Sequence, residues 1–183
     1  MKAILSVLAQ DRPGIVAEIA SLLAEFGCNI ENVSQTILQN EFAGIFVCSL
    51  PTQQDKEDLV QKIKKELSRG DLTVKIKLLD EVRPQTEAQH SEKYVLVGFG
   101  PDRLGQIAQL AKVLAKHHCN IINLQFVAQN NIDPNKSLTF FELEVPAQVN
   151  LQELRCDLQQ AGQELQLEIS LQHKKIFETL HRI

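Results

Sequence analysis

The chain has 183 residues, 44% of them apolar and 23% charged, with a formal net charge of −4 and a pI near 5.7. That balance belongs to a globular protein and not to a disordered one, and it lacks the basic stripe that a nucleic-acid surface requires. No apolar run approaches the ~20 residues of a membrane-spanning helix.

Taken in order, MKAILSVLAQ reads as a first strand. It has one lysine and a short apolar run but no small-residue cleavage site, so it is read as structure and not as a signal peptide, and a cytoplasmic location is expected. DRPG follows, and then Ile15, Val16, Ile19, Leu22, Leu23 and Phe26 make one apolar stripe of helical period, with Gly27 as its expected C-cap. Glu31–Gln39 predicts a second strand, Asn40 a turn, and FAGIFVCSL a third strand. Thr52 and Asp55 stand at capping-box spacing before a second helix striped by Leu59, Val60, Ile63 and Leu67, which Gly70 ends. LTVKIKLL then alternates, with Leu72, Val74, Ile76 and Leu78 on one face. The polar stretch Glu81–Glu92 holds the linker, placed at 83–92 between a first domain at 1–82 and a second at 93–183.

The second domain repeats the first. DRPGIVAEIASLLAEFGCNIEN and DRLGQIAQLAKVLAKHHCNIIN agree at 11 of 22 positions, clustered at DR-G and CNI-N. The register then slips by four residues, which fall in NIDPNKS, a lengthened hairpin loop. Asn150 and Glu153 are the expected caps of the next helix, Leu151, Leu154 and Leu158 its stripe, and Leu165, Leu167, Ile169 and Leu171 an alternating final strand. A tail with Ile176, Phe177, Leu180 and Ile183 reads as a short amphipathic helix without a counterpart in the first copy.

Each copy is therefore β-α-β-β-α-β, the ferredoxin-like order, and the fold class is α+β: two such domains in tandem, antiparallel sheets with helices on one face. In this topology the first and third strands are central. The third is apolar on both faces (Phe42, Phe46 and Cys48 against Ala43, Ile45 and Val47), so something beyond its own helices should cover the second face.

Cys28, Cys48, Cys119 and Cys156 make no CxxC pair or zinc spacing; the repeat-equivalent Cys28 and Cys119 are expected to be small buried apolar side chains, and no disulfide is expected in a cytoplasmic chain. HHC at His117–Cys119 is not expected to bind metal, because adjacent residues point different ways and no matched spacing accompanies them. The chain shows no nucleophile motif, no HExxH and no recurring acid–base set, so no enzyme activity and no cofactor are expected. FAGIFV faintly resembles the aromatic strand of an RNA-recognition motif, but the charge has the wrong sign and the second copy reads SLTFFELEV.

The repeated DR-G and CNI ends carry two readings. In the structural one, Asp11 and Asp102 are helix N-caps, Pro13 sits in the first turn, and Gly14 and Gly105 allow a tight turn. In the functional one, a helix start offers N–H donors to a carboxylate, and a nearby asparagine, Asn29 or Asn120, reads both amine and carboxylate of an amino acid.

DRPGIVAEIASLLAEFGCNIENVS on this frame resembles an ACT domain, the regulatory module that binds amino acids. Two copies in tandem resemble the glycine-cleavage-system transcriptional repressor group. Formyltetrahydrofolate deformylase is similar through its N-terminal region alone. The resemblance implies an amino-acid-responsive regulator with ligand at an interface between two modules, touching Asp11, Arg12, Gly14, Ile15, Asn29 and Ile30, and Asp102, Arg103, Gly105, Gln106, Asn120 and Ile121. The second copy departs at Leu104 and Gln106. Implied partners are a small amino acid and a regulator or enzyme, with no direct nucleic-acid or membrane contact, in a chain expected to be a homodimer. The alternative is an interaction module that pairs without a ligand.

Overall fold

A computed structural model describes residues 1–52, 55–79, 90–128 and 136–180. It divides into two units, Met1–Gln85 and Thr86–Ile183. Of the linker placed at 83–92, residues 83–89 lie outside the described residues, and Ser91 and Glu92 already belong to a strand.

The first unit runs β1 (Lys2–Gln10), α1 (Ile15–Glu25), β2 (Asn29–Leu38), β3 (Glu41–Ser49), α2 (Lys56–Leu67) and β4 (Thr73–Leu79). Its sheet is antiparallel in the order β2-β3-β1-β4, so β1 and β3 are central as the apolar pattern requires. Alternation divides the sheet. Ala3, Leu5, Val7 and Ala9 of β1 and Phe42, Phe46 and Cys48 of β3 are buried, packed with Ile15, Ile19 and Leu23 of α1 and Leu59, Ile63 and Leu67 of α2. The opposite face is open: Leu8 is 55% and Ile45 50% exposed. Gln39 (φ 50°) and Asn40 (φ 64°) form the two-residue turn between β2 and β3, its two successive positive φ values those of a type I′ hairpin.

The second unit repeats this as β5 (Ser91–Pro101), α3 (Gln106–Lys116), β6 (Asn120–Ala128), β7 (Lys136–Pro146), α4 (Leu151–Leu165) and β8 (Glu168–His173), in the sheet order β6-β7-β5-β8. It adds α5 (Lys174–Leu180). This tail packs on the sheet face away from α3 and α4: Phe177 lies 5.8 Å from Phe140, Lys174 Nζ lies 3.2 Å from Glu142 Oε1, and Val95 beneath is 2% exposed. Ile183 and most of the loop read from NIDPNKS lie outside the described residues, while Lys136 and Ser137 are in β7.

Four local expectations are corrected. Asp55 is itself the N-cap of α2, accepting from the N–H groups of Glu57 (3.0 Å) and Asp58 (3.4 Å), so Thr52 is not the cap. The helix closes at Ser68, and Gly70 lies beyond it. β2 starts two residues early, at Asn29, with a register shift between Ile30 and Asn32. Leu165 ends α4 instead of opening β8, because it completes the buried stripe Leu154, Leu158, Ala161, Leu165, and Gln166 turns the chain at φ 59°.

Candidate ligand-binding ends of the two units

The helix starts differ from the capping expectation. α1 begins behind Gly14 (φ 95°) and α3 behind Gly105 (φ 84°), and neither has a side-chain cap. After β1 ends at Gln10 the chain needs all of DRPG to reverse, and a left-handed residue just before the helix suits glycine. Asp11 and Asp102 thus lie exposed, three residues upstream, and are not N-caps; Pro13 precedes the helix instead of lying in its first turn. The Asp11 N–H donates to the Asn40 carbonyl (2.7 Å), tying the loop to the β2–β3 hairpin. Arg12 donates to Glu18 at 2.6 Å, across the first turn of α1. At Gly14 and at Gly105 no heavy atom beyond the adjoining residues stands within 4 Å of the place a Cβ would take. The result is a helix N-terminus with an open approach and positively poled N–H groups, suited to a carboxylate.

The second copy has the same backbone and different chemistry beneath it. Gln106 replaces Ile15, is 2% exposed, and donates from Nε2 to Ser137 Oγ (3.0 Å) and Thr139 Oγ1 (3.4 Å), while its Oε1 accepts from the Arg103 N–H (3.3 Å). Ser137 and Thr139 stand where the first copy has Phe42 and Gly44, opposite Gly100 and Gly98 where it has Ala9 and Val7. An apolar plug has become a satisfied polar network, which low interior dielectric makes stiff. Arg103 also bonds to Gln166, the residue that ends α4.

At the other end, the CNI segments close the first helix of each copy. Gly27 (φ 72°) donates to the Ala24 carbonyl (2.9 Å) and Cys28 to that of Leu23 (2.8 Å), a Schellman closure with Cys28 buried against the core. His118 (φ 55°) and Cys119 repeat it onto Ala115 (3.0 Å) and Leu114 (2.9 Å). All four cysteines are free; burial raises the Cys28 and Cys119 thiols and pushes Cys48 up to about 11. Asn29 and Asn120 begin β2 and β6 and are exposed, and Asn120 donates to Glu144 Oε2 (3.2 Å). Ile30 and Ile121 pack against their cores, as does Ile15.

Register shows which of these meet. Gln10 pairs with Glu41 at one end of β1, whereas Lys2, Ser49 and Asn29 align at the other. The strand between them spans on the order of 25 Å at about 3.3 Å per residue. In the second unit Pro101 pairs with Lys136, and Lys93, Glu144 and Asn120 align at the far end. Within one unit, therefore, the DR-G loop and its asparagine do not converge, and the expectation of a nearby asparagine fails there. Sequence spacing also gives no sign that His117 Nε2 reaches Asp157 Oδ2 on α4, 2.8 Å away.

The two units are a tandem of ferredoxin-like α+β modules, each with its first helix starting behind an uncapped glycine. The ACT-domain family model matches residues 3–68. A UPF0237 protein of Streptococcus mutans is 34% identical over 91 residues, covering 50% of this chain and 99% of its own. One of Clostridium acetobutylicum is 41% identical over 83 residues, covering 44% and 90%. Among solved structures, an unknown protein of Galdieria sulphuraria superimposes with a TM-score of 0.74 at 24% identity, covering 94% of this chain and 97% of its own. A protein provisionally named as a glycine cleavage system transcriptional repressor does so at 0.69 and 20%, covering 93% and 95%. The chain belongs to the ACT-domain family.

Proposed function

We propose that this chain is an amino-acid-responsive regulator: a small amino acid binds where two ACT modules meet, and the altered pairing is read by a protein partner. The observation that carries this reading is the open, uncapped N-terminus of α1 behind Gly14. Its N–H groups suit the ligand carboxylate, and the amide of an asparagine from a second module suits the amine. Because Asn29 lies at the far end of its own sheet, a site that uses both ends takes two modules. The first copy is the better candidate, since Gln106 and its partners already satisfy one another beneath the second loop. No recurring set of reactive groups accompanies these ends, so the output is a shift between paired states, and it acts by contact. The apolar outer face of the first sheet, with Leu8, Ile45 and Leu38 exposed, is suited to that contact.

A thermal-melt screen of the full chain against the twenty amino acids tests this, with Asn29→Ala and Asn120→Ala beside it. A ligand at a hundred times its Kd adds about 2.7 kcal/mol, a rise of roughly 5–10 °C for a chain of this size. Asn29→Ala should abolish the rise and Asn120→Ala should leave most of it. A melt that no amino acid moves at millimolar concentration sinks the ligand reading in favour of pairing without a ligand.

A further inference from the structure

The C-terminal end of α3 carries a cluster that the ligand reading does not use. His117, the C-cap residue of α3, is 9% exposed, and its ring faces α4. Glu153 and Asp157 stand one turn apart on α4 and present carboxylates to it. One ligand atom from each of the three lies within 4.8 Å of the other two. Lys116 Nζ donates to the Asp157 oxygen that also meets His117, at 2.7 Å, and its side chain is 63% exposed. Lys116 and then His117 hold the Asp157 carboxyl below its usual range.

The first copy shows what plain helix packing needs at these places. Counting from the α2 cap at Asp55 and the α4 cap at Asn150, Asp157 corresponds to Lys62 and Glu153 to Asp58. His117 corresponds to Phe26, which packs against the core, and Asp58 and Lys62 simply pair with each other at 2.6 Å. The second copy has exchanged an aromatic for an imidazole and a lysine for a carboxylate at once. The change assembles one nitrogen and two oxygen donors from two helices, with two carboxylates around a single near ammonium. A structural salt bridge needs only one of those carboxylates.

We propose that His117, Glu153 and Asp157 bind one divalent transition-metal ion of zinc type, with Lys116 as the displaceable cation that holds Asp157 in its absence. One imidazole and two carboxylates suit a borderline ion better than magnesium or calcium, which take oxygen alone. Three protein ligands leave a fourth position of a tetrahedral ion for water or an added ligand. The donor atoms need to close only about an ångström or two to reach bonds near 2.0–2.2 Å. Exposed Lys116 can swing out, and Asp157 also lines the solvent-facing groove between α3 and α4 with Gln109, Val113 and Gln160, giving the ion a route in.

The test is calorimetric titration of zinc into the full chain in a Cys156→Ser background, which removes the exposed thiol beside Asp157. One ion per chain is expected. His117→Phe, the side chain the first copy carries, and Asp157→Asn should each weaken binding by about a hundredfold or more, as the loss of a direct ligand should exceed the 10–100-fold cost of an outer-shell one. Lys116→Met should tighten it, and cobalt(II) in place of zinc should show d–d bands without a thiolate charge-transfer band. The proposal is overturned if neither the parent nor Lys116→Met binds zinc at submillimolar concentration. It is equally overturned if His117→Phe and Asp157→Asn bind like the parent. The readout is independent of any amino-acid ligand.

Discussion

At the scale of single residues, the two copies solve the same backbone problem with different side chains. Both first helices end in a Schellman closure whose last residue is left-handed, filled by Gly27 in one and His118 in the other. A side chain with a Cβ is disfavoured there, and His118 is exposed, so nothing it packs against repays the strain. His118→Gly should therefore stabilise the second unit by about 0.5–1 kcal/mol. Thermal melts in chelator would show this as a rise of a few degrees, and an unchanged or lower midpoint would contradict it. Glycine at 27 was legible in the sequence as a helix stop. The equivalent role of His118 was visible only through the repeat, because the residue type itself does not announce a left-handed position.

At the scale of elements, the helix starts separate residues that merely look like caps from those that cap. Asp55 and Asn150 each accept two backbone N–H bonds, whereas Asp11 caps nothing and contributes to the fold through its own backbone N–H. Asp55→Ala should cost about 1 kcal/mol. Asp11→Ala should stay within about 0.5 kcal/mol, as surface changes do. Paired urea midpoints of the two variants, both in the first unit, decide between these assignments. A cost at Asp11 as large as at Asp55 would restore the capping reading and weaken the case for an open anion site. Leu165 shows the limit of patterns at this scale. It stands seven residues after Leu158 and two before Leu167, so it satisfies a helical and an alternating register equally. Packing against the sheet settled it for the helix.

At the scale of the whole molecule, the unanswered demand is for a cover. α5 covers part of the outer face of the second sheet, burying Val95, and among the described residues no segment of the first unit does the same for Ile45 and Leu8. Together with the proposed ligand site, which would take two modules, this predicts self-association. Size exclusion with light scattering should give about 41 kDa, twice the 20.6 kDa chain, as the commonest closed symmetry would. A monomer at tens of micromolar would leave pairing to the two units of one chain, or to another protein.

Residue order alone shows that the chain is a repeat, that each copy is βαββαβ, and which strands are central. Those features are written in local periodicity, and side-chain direction in a helix or strand follows from backbone geometry alone. It takes the folded chain to show that the helices start behind uncapped glycines, that Asn29 and the DR-G loop lie a strand length apart, and that His117 meets Asp157. Each of these depends on where the chain reverses or on what a neighbouring helix presents across the gap, and no spacing along one element encodes that.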